Sequence, residues 1–120
     1  MKLTLPIPPS VNACYATNWK TKRRFKSKRY EAWEAEARLV LICQRRNADP
    51  MMPQYITGPV AVDYRIGRPD KRKRDLGNLE KPLSDFLVSA GLIQDDSLIM
   101  SLHLEWGDNE GADITITEVK

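Results

Sequence analysis

"KRKRDLGNLEKPLSDFLVSAG", residues 71–91, changes character midway. It begins as four consecutive cations, which repel one another and resist regular packing. From Asn78 it takes on a helical period. Leu79, Pro82, Leu83, Phe86, Leu87 and Ala90 fall on one apolar face, and Gly91 stands where a helix stops. Pro82 does not oppose this reading, because first-turn N–H groups have no intrahelical acceptor. Asn78, Lys81 and Asp85 share a polar stripe about 145° from the centre of the apolar face. The stretch therefore reads as a basic corner followed by a helix that buries one side.

Outward from this corner the pattern alternates. Upstream, "VAVDYRI" (60–66) has the period of a strand. Downstream, "LIQDDSLIMSLHLEW" (92–106) supplies another strand after an acidic pair. "KLTLPI" (2–7) reads as a first strand. In "PIPPSVNACY" (6–15) three prolines in four residues forbid helix and force an extended path, after which Asn12 can hydrogen-bond the turning backbone. "ATNWKTKRRFKSKR" (16–29) is polar and basic without an apolar period, and is expected to be an exposed loop. Ser27 is placed to cap a helix in which Tyr30, Trp33, Ala37, Val40, Leu41 and Gln44 recur, running to about Arg46. "NADPMMPQYITGP" (47–59) is a connection punctuated by Pro and Gly. "GDNEGAD" (107–113) is a turn, and "ITITEV" (114–119) is a last strand. The predicted order is β-α-β-α-β-β. It implies an α+β fold, in which four mixed strands form one layer packed by two helices, with residues 1–120 as a single domain.

Composition narrows the function. The 120 residues are 42% hydrophobic and 29% charged, which suits a folded domain. No apolar run approaches the roughly 18 residues of a membrane span. "MKLTLPIPPSVN" is a poor signal peptide, so the expected compartment is the cytoplasm. Cys14 and Cys43 form no CxxC and no metal spacing, and are expected to be reduced thiols. A histidine-based metal site or a Ser/His/Asp triad would rest on His103 alone. Neither GxGxxG nor GxxxxGK[ST] occurs, and no organic cofactor is expected.

The net charge of +3 conceals a gradient. Residues 1–81 carry a net +10 and residues 82–120 a net −7. Seven cations lie between Lys20 and Arg29, and six between Arg65 and Arg74. Such clusters point to a polyanion. Lys20, Lys22, Arg23, Arg24, Lys26, Arg68, Lys71, Arg72, Lys73, Arg74 and Asn78 are the candidate contacts to it. Trp19 and Phe25, interleaved with the first cluster, either stack on exposed bases or pack back onto the core.

Asp75 ends the basic corner, and Asp95 and Asp96 follow the helix that starts there. A strand–helix–strand unit can bring them to one sheet edge. Two or three carboxylates there would make a hard-oxygen site suited to Mg²⁺, with cations holding a phosphodiester beside it. The plain alternative is that these acids cap helices and fill turns, and that Lys81 is a solvated helix lysine.

Three stretches now carry a resemblance. "LPIPPSVNACY" resembles the Pro-Pro-Ser-x-Asn opening of the RusA-type Holliday-junction resolvases. "KRDLGNLEKPLSDFL" resembles their central signature, in which basic residues precede Asp-Leu-Asp-Asn-Leu-x-Lys and a helix. "GLIQDDSLI" resembles their later Gly…Asp-Asp segment. The resemblance implies a homodimeric, Mg²⁺-dependent endonuclease that nicks opposite strands of four-way DNA junctions, with Mn²⁺ as an alternative metal. By the same match, Asp75 and Asp96 are metal-binding and catalytic, Asp95 is their neighbour, and Lys81 is the functional lysine. One position departs: Gly77 stands where the family has a second aspartate. Asp85, with Asp95 next, is the candidate substitute ligand. Otherwise water fills the gap, or the chain binds junctions and cuts poorly. A further reading of Gly77 is that it supplies a backbone angle other residues resist. A small basic RNA-binding protein is a third reading, without an RNA motif to favour it.

Overall fold

The computed structural model describes residues 1–46, 55–71 and 73–119. Most of the 47–59 connection lies outside these residues. The elements are β1 (Lys2–Leu5), α1 (Val11–Cys14), β2 (Tyr15–Asn18), β3 (Arg23–Lys26), α2 (Lys28–Arg46), β4 (Val60–Gly67), α3 (Gly77–Ser89), β5 (Ile99–Gly107) and β6 (Ala112–Glu118), with a 3₁₀ turn at Asp96–Leu98. The α+β class holds, and four of the strands form one mixed sheet in the order β1-β6-β4-β5. β4 runs antiparallel to β6 and parallel to β5. A parallel pair needs a crossover, and α3 is that crossover.

Each element follows from its residues. In β4 the side chains of Val60, Val62, Tyr64 and Ile66 are buried, while Asp63 and Arg65 face out. They meet Leu79, Leu83, Phe86 and Leu87 of α3, the apolar face read from the sequence. Trp33 of α2 lies edge-on to Phe86, with ring centroids 5.4 Å apart, and its indole N–H donates to the Pro6 carbonyl at 2.9 Å. The Ser27 hydroxyl accepts the Tyr30 N–H at 3.1 Å and caps α2 as expected. Gly91, at φ 74°, adopts the left-handed backbone that ends α3. Gln44 bonds both the N–H and the carbonyl of Thr4, covering the free edge of β1.

Two segments differ from expectation. The Pro8–Pro9 stretch is extended, but a short helix, α1, follows at Val11–Cys14 and packs on α3. The described residues give Asn12 no side-chain hydrogen bond. Instead the Ala13 N–H bonds the Ser10 carbonyl at 2.8 Å. The basic segment 16–29 is not a loop throughout: β2 and β3 pair as an antiparallel hairpin. It escapes a periodicity search because neither strand is buried enough to need an apolar face. Cys14 is buried and Cys43 exposed, and both are free. Burial pushes the Cys14 thiol up to about 11, so it stays protonated.

Candidate active site

Asp75 is exposed where the basic corner meets α3. Its Oδ1 accepts the Gly77 N–H at 3.0 Å, and its carbonyl accepts the Asn78 N–H at 3.2 Å. Asp75, not Asn78, therefore opens the helix, and the hydrogen bond at Oδ1 fixes the direction of the carboxylate. Gly77 is the first residue of α3 and is helical, so it supplies no special backbone angle; that reading is overturned. Among the described residues a Cβ at Gly77 would meet only Asp75 Oδ1, at 3.4 Å, an ordinary contact. An acid at position 77 would thus stand beside Asp75 without strain.

One turn further on, the ammonium of Lys81 lies 3.0 Å from Asp85 Oδ1 and 3.7 Å from Asp96 Oδ2. The polar stripe and the acidic pair do converge, on this lysine. The hydrogen bond to Asp85, with that carboxylate's charge, holds the Lys81 pKa above its ordinary value. Lys81 is consequently a fixed positive charge at neutral pH and not a proton acceptor. A group whose pKa rises on folding contributes its stabilisation below the unfolded value and loses it as pH climbs through the folded one. NMR titration of the Lys81 side chain should therefore place its midpoint above the ordinary lysine value of 10.5. In Asp85→Asn the transition should move down. A Lys81 that titrates identically in both proteins would remove Asp85 as its partner.

Asp95 and Asp96 separate in role. Asp95 Oδ1 accepts the Ser97 N–H at 3.2 Å and caps the 3₁₀ turn. A hydrogen bond shared with the Asp96 carboxyl, then the Ser97 N–H, holds Asp95 below the usual carboxylate range. Asp96 is left facing Lys81.

The cations divide likewise. Lys73, Arg74, Asp75 and Asn78 line a shallow pocket of about 190 Å³ together with Ser10 and Leu79. Ser10 was not among the expected site residues. The signal was present in the Pro8–Pro9 pair, which holds the chain extended and delivers Ser10 to the start of α3. Arg74 is clamped by Asp70 through Nε at 3.0 Å and Nη2 at 2.6 Å. Arg68 lies over the Trp106 ring, 4.8 Å from its centroid. Lys71 and Lys73 are exposed, and Arg72 lies outside the described residues. Lys20, Lys22, Arg23, Arg24 and Lys26 all sit on the hairpin. Arg24 covers the Tyr15 ring at 4.4 Å, and Lys26 pairs with Glu34 at 3.1 Å, so these two also secure the hairpin.

Among the described residues no three His, Cys, Asp or Glu side chains cluster to hold a metal ion. The expected set of Asp75, Asp85, Asp95 and Asp96 does not form one cage: Asp85 is tied to Lys81 and Asp95 caps a turn. Asp75 and Asp96 remain as exposed carboxylates. Each is a single hard-oxygen donor, Asp96 with Lys81 3.7 Å away, and Mg²⁺ commonly takes only one or two carboxylates and fills its octahedron with water and substrate phosphate.

The sequence profile of the family described as "Endodeoxyribonuclease RusA" matches residues 6–117. The chain is 30% identical over 116 residues to the crossover junction endodeoxyribonuclease RusA of Aquifex aeolicus (strain VF5), covering 97% of this chain and 85% of that protein. It is 33% identical over 98 residues to the protein of the same name from Escherichia coli (strain K12), covering 82% of this chain and 75% of that one. The protein of that name from Shigella sonnei (strain Ss046) is likewise 33% identical over 98 residues.

Proposed function

The chain belongs to the RusA endodeoxyribonuclease family, and on that premise we propose that it is a resolvase of four-way DNA junctions, cutting by paired symmetric nicks through metal-assisted phosphodiester hydrolysis. Residues 1–120 act as one nuclease domain. The carrying observation is the corner itself: an oriented, exposed carboxylate on Asp75 stands beside Lys73, with the Lys81–Asp96 pair one turn away.

Asp75 and Asp96 would hold Mg²⁺, with Mn²⁺ as the alternative; when bound, the ion supplies Lewis-acid polarisation of the phosphoryl oxygen and acidifies an attacking water. Lys71 and Lys73 hold the phosphodiester by charge-assisted bonds. Lys81, kept charged by Asp85, stabilises negative charge that develops on the phosphoryl oxygens. Asn78, in the same pocket as Asp75, orients a phosphate oxygen through its amide.

Paired nicks need two active sites, and a two-fold dimer matches the symmetry of the junction. β5 is an edge strand. Its Leu102, Leu104 and Trp106 register with Val62, Tyr64 and Ile66 and so share their helix-side face, yet Leu102 is 44% exposed and neighbouring Met100 62%. This uncovered apolar row on a free edge is where a second copy would dock. Leu102→Glu should convert a sedimenting dimer into monomer at micromolar concentration. A dimer unchanged in the variant would move the interface elsewhere.

The test of the activity is cleavage of a synthetic four-way junction beside linear duplex of the same sequence, with and without Mg²⁺. Paired nicks confined to the junction and dependent on metal are expected. A second reading, a junction-binding protein with weak cleavage, is favoured by the absence of a three-ligand cluster among the described residues and by Gly77. Junction binding without nicks at any Mg²⁺ or Mn²⁺ concentration would select it.

A further inference from the structure

Trp19 is 85% exposed at the tip of the β2–β3 hairpin. A bare indole is unusual, because tryptophan ordinarily buries most of its large surface. The tip is also pre-organised. Asn18 Oδ1 accepts the N–H groups of Lys20 at 3.0 Å and Thr21 at 3.4 Å, and the Asn18 carbonyl accepts the Lys22 N–H at 2.6 Å. Lys22 sits at φ 56°, closing the turn. The base is anchored as well: the Ser27 hydroxyl donates to the Ala13 carbonyl at 2.7 Å, and the Ser27 N–H bonds the Cys14 carbonyl at 2.8 Å.

The two faces of the hairpin differ. Alternation puts Tyr15, Arg24 and Lys26 on one face, where the two cations are consumed by Tyr15 and Glu34. Arg23 and the half-exposed Phe25 lie on the other face, and among the described residues no partner holds the Arg23 side chain there. Free cations, a rigid turn and an uncovered aromatic therefore coincide.

We propose that Trp19 is a wedge that stacks on an unpaired or unstacked base at the branch point, while Lys20, Lys22 and Arg23 grip the flanking phosphates. The inference rests on reading the chain as a junction enzyme. Charge selects the occupant: seven cations between Lys20 and Arg29 favour a polyanion and oppose the same hairpin of a second copy. A π-face accepts any base, so the wedge reads exposure and not sequence. Continuous duplex offers no such face, which makes the contact a source of preference for junctions.

The experiment compares the unmodified protein with Trp19→Ala and Trp19→Phe, in Ca²⁺ to suppress cutting, on a four-way junction carrying 2-aminopurine at the branch point and on linear duplex. Because Trp19 is exposed, neither substitution disturbs the core. Trp19→Ala should weaken junction binding roughly ten-fold and leave duplex binding within about two-fold. The 2-aminopurine signal should change with the unmodified protein and with Trp19→Phe, but not with Trp19→Ala. Junction preference and probe signal unchanged in Trp19→Ala overturn the wedge while the junction reading stands. A Trp19→Ala protein that falls from dimer to monomer with its junction preference intact likewise overturns it, assigning the indole to a protein contact. If the unmodified protein shows no preference for the junction, the functional reading fails and the wedge with it.

Discussion

Asp75→Asn is expected to lower junction cleavage by roughly 10³-fold or more while junction binding survives or tightens. The substitution is nearly isosteric. Asparagine keeps an oxygen at the Oδ1 position, so the bond from the Gly77 N–H and the start of α3 persist. What disappears is one negative charge. On the proposed reading that charge anchors the metal, so cleavage suffers, and it repels phosphate, so binding does not. Cleavage and binding measured on the same junction separate the two effects. Loss of both in the same proportion would mean that Asp75 serves DNA contact or folding, and would end its assignment as a metal ligand.

Gly77→Asp should lower the Mg²⁺ concentration for half-maximal cleavage by roughly 100-fold. A third carboxylate about 4 Å from a divalent ion at intermediate dielectric, discounted for solvent exposure, accounts for a shift of that size. The structure permits it: the backbone at Gly77 is helical, and among the described residues the only neighbour a new Cβ meets is Asp75 Oδ1 at 3.4 Å. An acid there also sits favourably at a helix N-terminus. The metal dependence of cleavage in the variant decides the matter. If activity appears only in Gly77→Asp, the natural chain is a junction binder that lacks one ligand. If both proteins cut with the same metal requirement, two carboxylates suffice and position 77 is not a ligand site.

The sequence by itself determined the sheet and the two long helices. α3 was legible because Leu79, Leu83, Phe86 and Leu87 must share one face to reach the core, and period is a direct record of burial. β4 was legible for the same reason. It also singled out the corner, where four adjacent cations stand beside Asp75. Where burial is weak the record fades. The β2–β3 hairpin has little apolar face, so only its backbone pairing reveals it, and with it the exposure of Trp19. Tertiary structure alone decided which charges are free. Lys26 and Arg74 look like Lys20 and Lys73 in the sequence, but Glu34 and Asp70 hold the first two. It likewise decided that Asp85 and Asp96 meet at Lys81 whereas Asp95 accepts the Ser97 N–H. Charge on a side chain is local and can be read from its letter. Its partner is set by the path of the chain through space, and that path is fixed only when the core closes.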